Sequence, residues 1–390
     1  KILYLFFVIG IVCVLTAGVQ GLAADIELYL QAAENNPTDP VAQYNLATVY
    51  YDQQRYDEAL LSYQKAVALK PDFADAWFKL AAVYMQRKDS DKEIAAYQKA
   101  IQYKPNFAEA HYGLGLCYYL KKDYSVAVES FKTAIGIKGN QAEMYYYLGK
   151  AHTQQGQASE AVAALLKATE LNPNDANVWY QLGLSYGVLQ DYAKEAESYQ
   201  KSIALKPDAP NAYYNLGLAY QGLGKFAESI DAFKRALVIS PKHEEAMISS
   251  GLANVRLQRY SEALLSFQRV IEINANNAQA HFYQGYVLIK MGKNHEAYLA
   301  YQAAVKADPK FTKAYFQLGL LCFDLKKYDE EIENYKKVIE LDPAFPNAHY
   351  NLGLAYLGSD KKELALAQCD ELKKLDAPAA NRLFGLINRK

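Results

Sequence analysis

Residues 210–243 read PNAYYNLGLAYQGLGKFAESIDAFKRALVISPKH, and this 34-residue pattern recurs without a gap from Pro40 to Ala379. The pair formed by Leu216 and Gly217 has a counterpart at the same step in most of the other repeats. A fixed period of this length is typical of solenoids, in which each repeat is one supersecondary unit that stacks on its neighbours. The sequence therefore predicts ten tandem repeats, each made of two helices.

Two positions indicate how the helices of a repeat pack. The eighth position, on the first helix, is Gly or Ala in all ten repeats, from Ala47 to Gly353. Because only a small residue lets two helices approach closely, we expect a tight contact there. The second helix carries an aromatic residue in most repeats, and these rings are expected to fill the space between successive hairpins: Tyr63, Tyr97, Phe131, Tyr199, Phe233, Phe267, Tyr301 and Tyr335.

Prolines such as Pro71 and Pro241 close most repeats and end the second helix, because proline cannot continue the hydrogen-bond ladder. Taken together, these features resemble the tetratricopeptide repeat (TPR) family. The resemblance covers residues 40–379. It implies an all-α fold, an α-α superhelical solenoid of ten helix-turn-helix repeats.

Both ends of the array are expected to carry a capping helix, which covers the apolar face of the terminal repeat. Residues 25–39 repeat the second-helix pattern, with Tyr29 and Pro37 in the places of the aromatic residue and the proline. Residues 380–390 are predicted to form the C-terminal cap. Its packed face is expected to contain four apolar side chains: Ala380, Leu383, Phe384 and Ile387.

Residues 1–24 form an apolar N-terminal segment with a single charge, at Lys1, before the first acidic residue, Asp25. Such a segment is either a membrane anchor or a cleaved signal peptide. We expect an anchor, with residues 2–24 in contact with the membrane. Either alternative places the repeats outside the cytoplasm, on the periplasmic side of a membrane, because the positive charge stays inside.

The composition argues against a nucleic-acid partner and against a catalytic centre. The formal net charge is -1 and charges of both signs alternate, whereas phosphate binding calls for a basic stripe. No HExxH or CxxC spacing is present, so we expect no metal site and no cofactor. The histidines lie on different repeats, for example His111 and His349 at the fourth repeat position. We therefore expect no enzymatic activity.

Three glutamates occupy a position of the second helix that usually holds alanine: Glu93, Glu195 and Glu331. A glutamate has an aliphatic stem and a charged end, which can lie along a surface with the charge in water. We expect this arrangement for all three carboxylates.

The resemblance also implies where partners bind. In this family the first helices line the concave face of the superhelix, and the fifth repeat position points into it. That position is aromatic in almost every repeat: Tyr44, Phe78, Tyr112, Tyr146, Tyr180, Tyr214, Phe282, Phe316 and Tyr350. Four residues further on, leucines continue the stripe: Leu116, Leu184, Leu218, Leu252, Leu320 and Leu354. These residues form our candidate groove for a protein or peptide partner. The alternative, that they mainly pack against neighbouring helices, stays open at this point.

We expect the chain to be a non-catalytic protein-protein interaction scaffold, exported and membrane-anchored, that binds partner subunits through its concave and edge surfaces. Two alternatives remain. One is a self-assembling structural subunit of a filament or ring, in which the chain forms homo-oligomers. The other is a TPR accessory module of a glycan-export or glycosyl-transfer system, which would recruit an enzyme carried on another chain.

Overall fold

The computed structural model describes residues 19–389, with side chains from Ile26 onward. Within this range it contains 22 helices and no strand. The chain divides into two compact units, Lys1–Leu189 and Gln190–Lys390. The all-α fold expected from the repeat pattern is therefore confirmed.

The described part of unit 1 contains these helices: α1 (Val19–Asn35), α2 (Pro40–Asp52), α3 (Tyr56–Leu69), α4 (Ala74–Gln86), α5 (Ser90–Tyr103), α6 (Ala108–Leu120), α7 (Tyr124–Ile137), α8 (Ala142–Gln154), α9 (Ala158–Leu171) and α10 (Ala176–Val188). Unit 2 contains these: α11 (Tyr192–Leu205), α12 (Pro210–Gly222), α13 (Phe226–Ile239), α14 (Glu244–Arg256), α15 (Tyr260–Ile273), α16 (Ala278–Lys290), α17 (Asn294–Ala307), α18 (Thr312–Asp324), α19 (Tyr328–Leu341), α20 (Pro346–Gly358), α21 (Lys362–Leu375) and α22 (Ala377–Ile387). From α2 to α20 the even-numbered helices are the first helices of their repeats, and the odd-numbered helices that follow are the second.

Small residues set the spacing between the two helices of a repeat. A Cβ atom added to Gly115 of α6 would lie 2.6 Å from the ring of Phe131 on α7. In unit 2, a Cβ atom added to Gly285 would lie 2.8 Å from the ring of Tyr301. Both distances are shorter than a real Cβ atom tolerates, because interiors are close-packed. The predicted close approach at the eighth repeat position is confirmed for these repeats.

The hairpin turns hold a feature that the sequence analysis did not foresee. The fifteenth residue of every repeat has a positive φ, for example 74° at Gly156 and 60° at Lys88. At the end of α4, the amide of Lys88 donates to the carbonyl of Met85, and the amide of Asp89 donates to that of Tyr84. This is a Schellman arrangement, which satisfies the last carbonyls of a helix. Seven repeats place a residue other than glycine there: Gln54, Lys88, Lys122, Gln190, Gln258, Lys326 and Asp360.

The helices at the two ends differ in detail from the predicted caps. Helix α1 is described from Val19 onward, so it includes residues on the N-terminal side of Asp25, where the predicted cap begins. Helix α22 begins at Ala377, where Asp376 caps it by accepting a 2.9 Å hydrogen bond from the amide of Ala379.

The packed face of α22 is narrower than predicted. Ala380, Leu383 and Ile387 are buried against α20 and α21, whereas Phe384 is 49% exposed. The prediction for Phe384 is therefore wrong, because its side chain lies about a quarter turn from the centre of the buried stripe.

The expectation of hydrated carboxylates on the second helices is also wrong. Glu93, Glu195 and Glu331 are all buried, with Glu331 only 3% exposed. Their repeat position faces the interior of the hairpin, and burial raises the pKa of each carboxyl to about 7.

The predicted anchor or signal segment lies mostly outside the described residues. Residues 1–18 are not described, and of residues 19–25 only the helical backbone is. None of the helices in the part of the chain that the structure covers combines the length and the hydrophobicity needed to span a bilayer.

Candidate functional site

An open groove of about 730 Å³ runs along unit 1. The first helices of five successive repeats, α2, α4, α6, α8 and α10, contribute side chains to it. Four of the predicted fifth-position residues line this groove: Tyr44, Phe78, Tyr112 and Tyr146. The repeat places them on equivalent turns of successive helices, so that one surface collects them.

The fifth-position rings of the first repeats are packed between two other rings. The ring of Tyr44 lies 5.7 Å from that of Tyr63 on α3 and 5.0 Å from that of Phe73, which precedes α4. The ring of Phe78 lies 4.9 Å from that of Phe107, which closes the same repeat. Both Tyr44 and Phe78 remain half-buried. They therefore stabilise the stack and still present part of each ring to the groove, so packing is shown for them and partner binding stays a prediction.

The other predicted residues of unit 1 differ in exposure. Tyr112 is 1% exposed and Leu116 is 4% exposed, so these two are core residues with little surface to offer a partner. Tyr180 and Leu184 lie half-buried on α10. Tyr146, by contrast, has neither an aromatic residue on the following second helix nor one at the end of its repeat. Its ring packs against Tyr147, at 5.1 Å.

In unit 2 the same packing recurs around the predicted positions. Tyr214, Phe282 and Phe316 each lie 4.9 to 5.0 Å from the ring that closes their own repeat. Leu320 is 38% exposed. Four further predicted residues are half-buried: Leu218, Leu252, Tyr350 and Leu354. A binding role for this set stays a prediction.

Charged residues also line the groove, and the sequence analysis missed them. Asp75 pairs with Lys104 at 3.3 Å, and Glu109 pairs with Lys138 at 3.0 Å. In each pair the acid is the second residue of its repeat and the lysine lies 29 residues later. The recurrence of an acid and a lysine at this spacing is the signal that could have revealed the pairs.

The fourth repeat brings two carboxylates together. Burial and the charge of Asp175 raise the pKa of Glu143, while a hydrogen bond from Tyr112 opposes this shift. Asp175 accepts a 2.8 Å hydrogen bond from the amide of Asn177 and so caps α10. Both carboxylates line the groove.

Lys150 lies about two turns from Glu143 on the same helix, α8. Its ammonium group lies 5.4 Å from the ring of Tyr119 and 5.3 Å from those of Tyr146 and Tyr147. Burial lowers the pKa of Lys150, and the surrounding rings stabilise its charge in place of a carboxylate. Lys150 is at the ninth repeat position, which holds leucine or another neutral residue in the other repeats.

The histidines and possible metal ligands show structural contacts. Nε2 of His111 lies 2.9 Å from the carbonyl oxygen of Pro105, and that of His349 lies 3.0 Å from the carbonyl oxygen of Pro343. Over the residues described, no three His, Cys, Asp or Glu side chains are arranged so that they could hold a metal ion. Both histidines therefore contact the turn that precedes their own helix.

Models of known protein families match most of the chain. The model for the cilia and flagella-associated protein 70 C-terminal domain matches residues 15–247, more than half of the sequence. The model for the anaphase-promoting complex, cyclosome, subunit 3 matches residues 258–338, and that for the TPR repeat matches residues 319–359. None of the curated proteins matches the chain.

Solved structures also resemble it. The C-terminal part of a TPR repeat-containing protein from Cytophaga hutchinsonii is 19% identical, with a TM-score of 0.54, covering 61% of this chain and 97% of that one. YrrB, a TPR protein with an unusual peptide-binding site, is 24% identical, with a TM-score of 0.45, covering 47% and 95%. MamA is 33% identical, with a TM-score of 0.42, covering 43% and 92%. The first of these similarities supports the helical repeat fold.

Proposed function

The chain belongs to the tetratricopeptide repeat proteins, in the family represented by the C-terminal domain of cilia and flagella-associated protein 70, and from this premise we propose that it is a non-catalytic scaffold that binds an extended segment of a partner protein in the groove of unit 1. The observation that carries the proposal is the groove itself, which crosses five first helices and has aromatic walls. Its volume of about 730 Å³ is within the range of known ligand sites.

An extended partner fits this groove better than a compact one. The first helices α2, α4 and α8 present Tyr44, Phe78 and Tyr146 along the groove, so a partner that contacts all three must follow its length. Half-buried aromatic rings supply contact area at a low cost in conformational entropy, since packing already restricts them. The affinity is therefore expected to come from a few side chains of the partner that lie against these rings.

The second element of the proposal is location. The uncharged stretch of residues 2–24 supports export and attachment to a membrane, with the repeats on the periplasmic side. The test is extraction of native membranes with alkaline carbonate. An anchored chain stays in the pellet and is released when residues 2–24 are deleted. Recovery of the full-length chain in the soluble fraction would rule out the anchor.

Binding in the groove is tested by site-specific photocrosslinking in native membranes. A photoreactive amino acid replaces Asn177, which is exposed in the groove, or Lys132, which is exposed on the second helix α7. The crosslinked partner is sequenced, purified and titrated against the chain. We expect capture from position 177 alone, and loss of binding to the purified partner in Asn177→Trp but not in Lys132→Trp.

The other outcomes separate the alternative functions. If position 177 captures only further copies of this chain, a self-assembling subunit is favoured and the scaffold proposal fails. If it captures a glycosyl-transfer or glycan-export enzyme, the accessory-module alternative is the correct form of the scaffold. Equal capture from both positions would show that the groove has no special role.

A further inference from the structure

The ion pairs along the groove stop at the fourth repeat. In the two preceding repeats, Lys104 and Lys138 neutralise the acid that begins each repeat, at 3.3 and 3.0 Å. In the fourth repeat the acid is retained as Glu143, but the residue 29 positions later is Asn172 instead of lysine. Asn172 also lines the groove. The two preceding repeats thus supply a cation to this acid, and the fourth repeat does not.

A second carboxylate lies at the same place. Asp175 occupies the repeat position that holds Phe73 and Phe107 in the first two repeats, so a negative charge replaces an aromatic wall. One carboxylate oxygen of Asp175 accepts a hydrogen bond from the amide of Asn177. The second oxygen can accept a hydrogen bond from a ligand. In the part of the chain that the structure describes, neither Asp175 nor Glu143 forms an ion pair with a lysine, arginine or histidine.

Lys150 does not supply the missing charge. It lies two turns further along α8, and its partners are the rings of Tyr119, Tyr146 and Tyr147. Burial alone accounts for the lowered pKa of Lys150, with no contribution from Glu143. The two carboxylates therefore face the groove without a cation from their own chain.

We propose that the partner segment carries a lysine or arginine side chain that binds between Glu143 and Asp175, where it takes the place that Lys104 and Lys138 fill in the preceding repeats. This inference rests on the proposed function, since it names the chemistry of the segment that the groove binds. The aromatic rings of Tyr44 and Phe78 then contact apolar side chains of the same segment.

Charge complementarity supports this occupant. A cation between two carboxylates forms charge-assisted hydrogen bonds, and arginine can form them in a bidentate arrangement. The raised pKa of Glu143 has burial as its main cause and Asp175 as a second, so an added positive charge would favour the ionised carboxylate. An acidic segment is repelled by the same pair, which contributes specificity.

The test uses the full chain and random peptides displayed on phage. Selected peptides are synthesised, and their affinities are measured with the unmodified chain and with Asn177→Trp, which obstructs the groove. Each arginine in a selected peptide is then replaced by citrulline, and each lysine by norleucine. We expect one basic residue whose replacement weakens binding about tenfold, as for a lost charged hydrogen bond.

Two variants test the same point from the side of the protein. Asn172→Lys restores the internal cation found in the preceding repeats and is expected to weaken binding about tenfold, whereas Asn172→Gln leaves it unchanged. Asp175→Asn keeps the capping oxygen of α10 and removes the charge, so it is expected to weaken binding while the fold is retained. Glu129→Gln, which removes a charge from the exposed side of α7, is the matched control.

The outcomes separate this inference from the function on which it rests. Peptides that no longer bind to Asn177→Trp bind in the groove. If their affinity is unchanged by citrulline or norleucine, by Asn172→Lys and by Asp175→Asn, the proposed basic side chain is ruled out and the groove remains a binding site. If no selected peptide is excluded by Asn177→Trp, the proposed function itself fails. Circular dichroism of each variant confirms that lost binding does not reflect lost helices.

Discussion

Nε1 of Trp77 donates a hydrogen bond to the carbonyl oxygen of Pro71, at 2.8 Å. His111 holds the same repeat position, and its Nε2 lies 2.9 Å from the carbonyl oxygen of Pro105. A backbone carbonyl can only accept, so His111 must carry its proton on Nε2. The fourth position of the repeat thus ties the first helix to the turn that precedes it.

Replacing the donor should weaken unit 1. We expect His111→Phe to lower the free energy of unfolding by about 0.5–1.5 kcal/mol, because the carbonyl of Pro105 loses its partner. The two tryptophans, Trp77 and Trp179, both lie in unit 1, so their fluorescence during urea unfolding reports on this unit. His111→Trp retains a donor and serves as the control. Equal losses in both variants would show that ring packing, not the hydrogen bond, is responsible.

The turn residues offer a route to higher stability. Lys88 has a φ of 60°, a conformation that costs a side-chain-bearing residue about 1 kcal/mol relative to glycine. We expect Lys88→Gly to raise the free energy of unfolding by about 0.5–1 kcal/mol, measured by urea unfolding. Gly156→Ala, at the equivalent turn, should lower it by a similar amount. A destabilised Lys88→Gly variant would mean that the Lys88 side chain makes a stabilising contact of its own.

A methyl group at the eighth repeat position should be costly where glycine meets a ring. Gly115→Ala places a Cβ atom 2.6 Å from Phe131, which is fully buried and cannot move freely. We expect a loss of about 1–3 kcal/mol in the free energy of unfolding. Gly136→Ala on α7 meets no atom within 4 Å, so it should be neutral or stabilising by about 0.5 kcal/mol. Equal effects in the two variants would contradict the role assigned to close packing.

The buried Glu93 should make unit 1 less stable as the pH rises. Burial raises its pKa from 4.5 to about 7 in the folded state, so the folded chain binds more protons than the unfolded chain between these values. The associated stability is present below pH 4.5 and is lost as the pH rises through 7. Glu93→Gln should therefore remove this dependence, with a gain on the order of 2 kcal/mol at pH 8 and little change at pH 4.5.

The control is Glu129→Gln, since Glu129 is exposed on the neighbouring second helix. Tryptophan fluorescence in urea, recorded at both pH values, gives the midpoint for each variant. If Glu93→Gln shifts the midpoint equally at pH 4.5 and pH 8, the carboxyl does not titrate as its burial indicates.

The repeated hairpins could be predicted because their causes lie within one period. Gly115 and Phe131 belong to the same repeat. Most repeats have a small residue on the first helix and an aromatic residue on the second, so the sequence itself indicates that the two positions pack together. The resemblance to the family likewise implied that Tyr44 and Phe78 lie on one surface. Their packing against Phe73 and Phe107 was not predicted, because it depends on which part of each ring the neighbouring elements cover.

The rest depended on how the helices pack in three dimensions. The repeat pattern predicts alanine where Glu93 stands but does not say which atoms cover the carboxylate, so its burial appeared only in the folded chain. Asp75 and Lys104 are 29 residues apart, and they meet because one hairpin brings the end of its second helix beside the start of its first. The lack of a lysine opposite Glu143 has meaning only after that pairing is known. Local periodicity thus specifies the helices and their order. The pairing of charges that are distant in sequence requires the three-dimensional arrangement, because electrostatic interactions depend on distance and burial and not on sequence spacing.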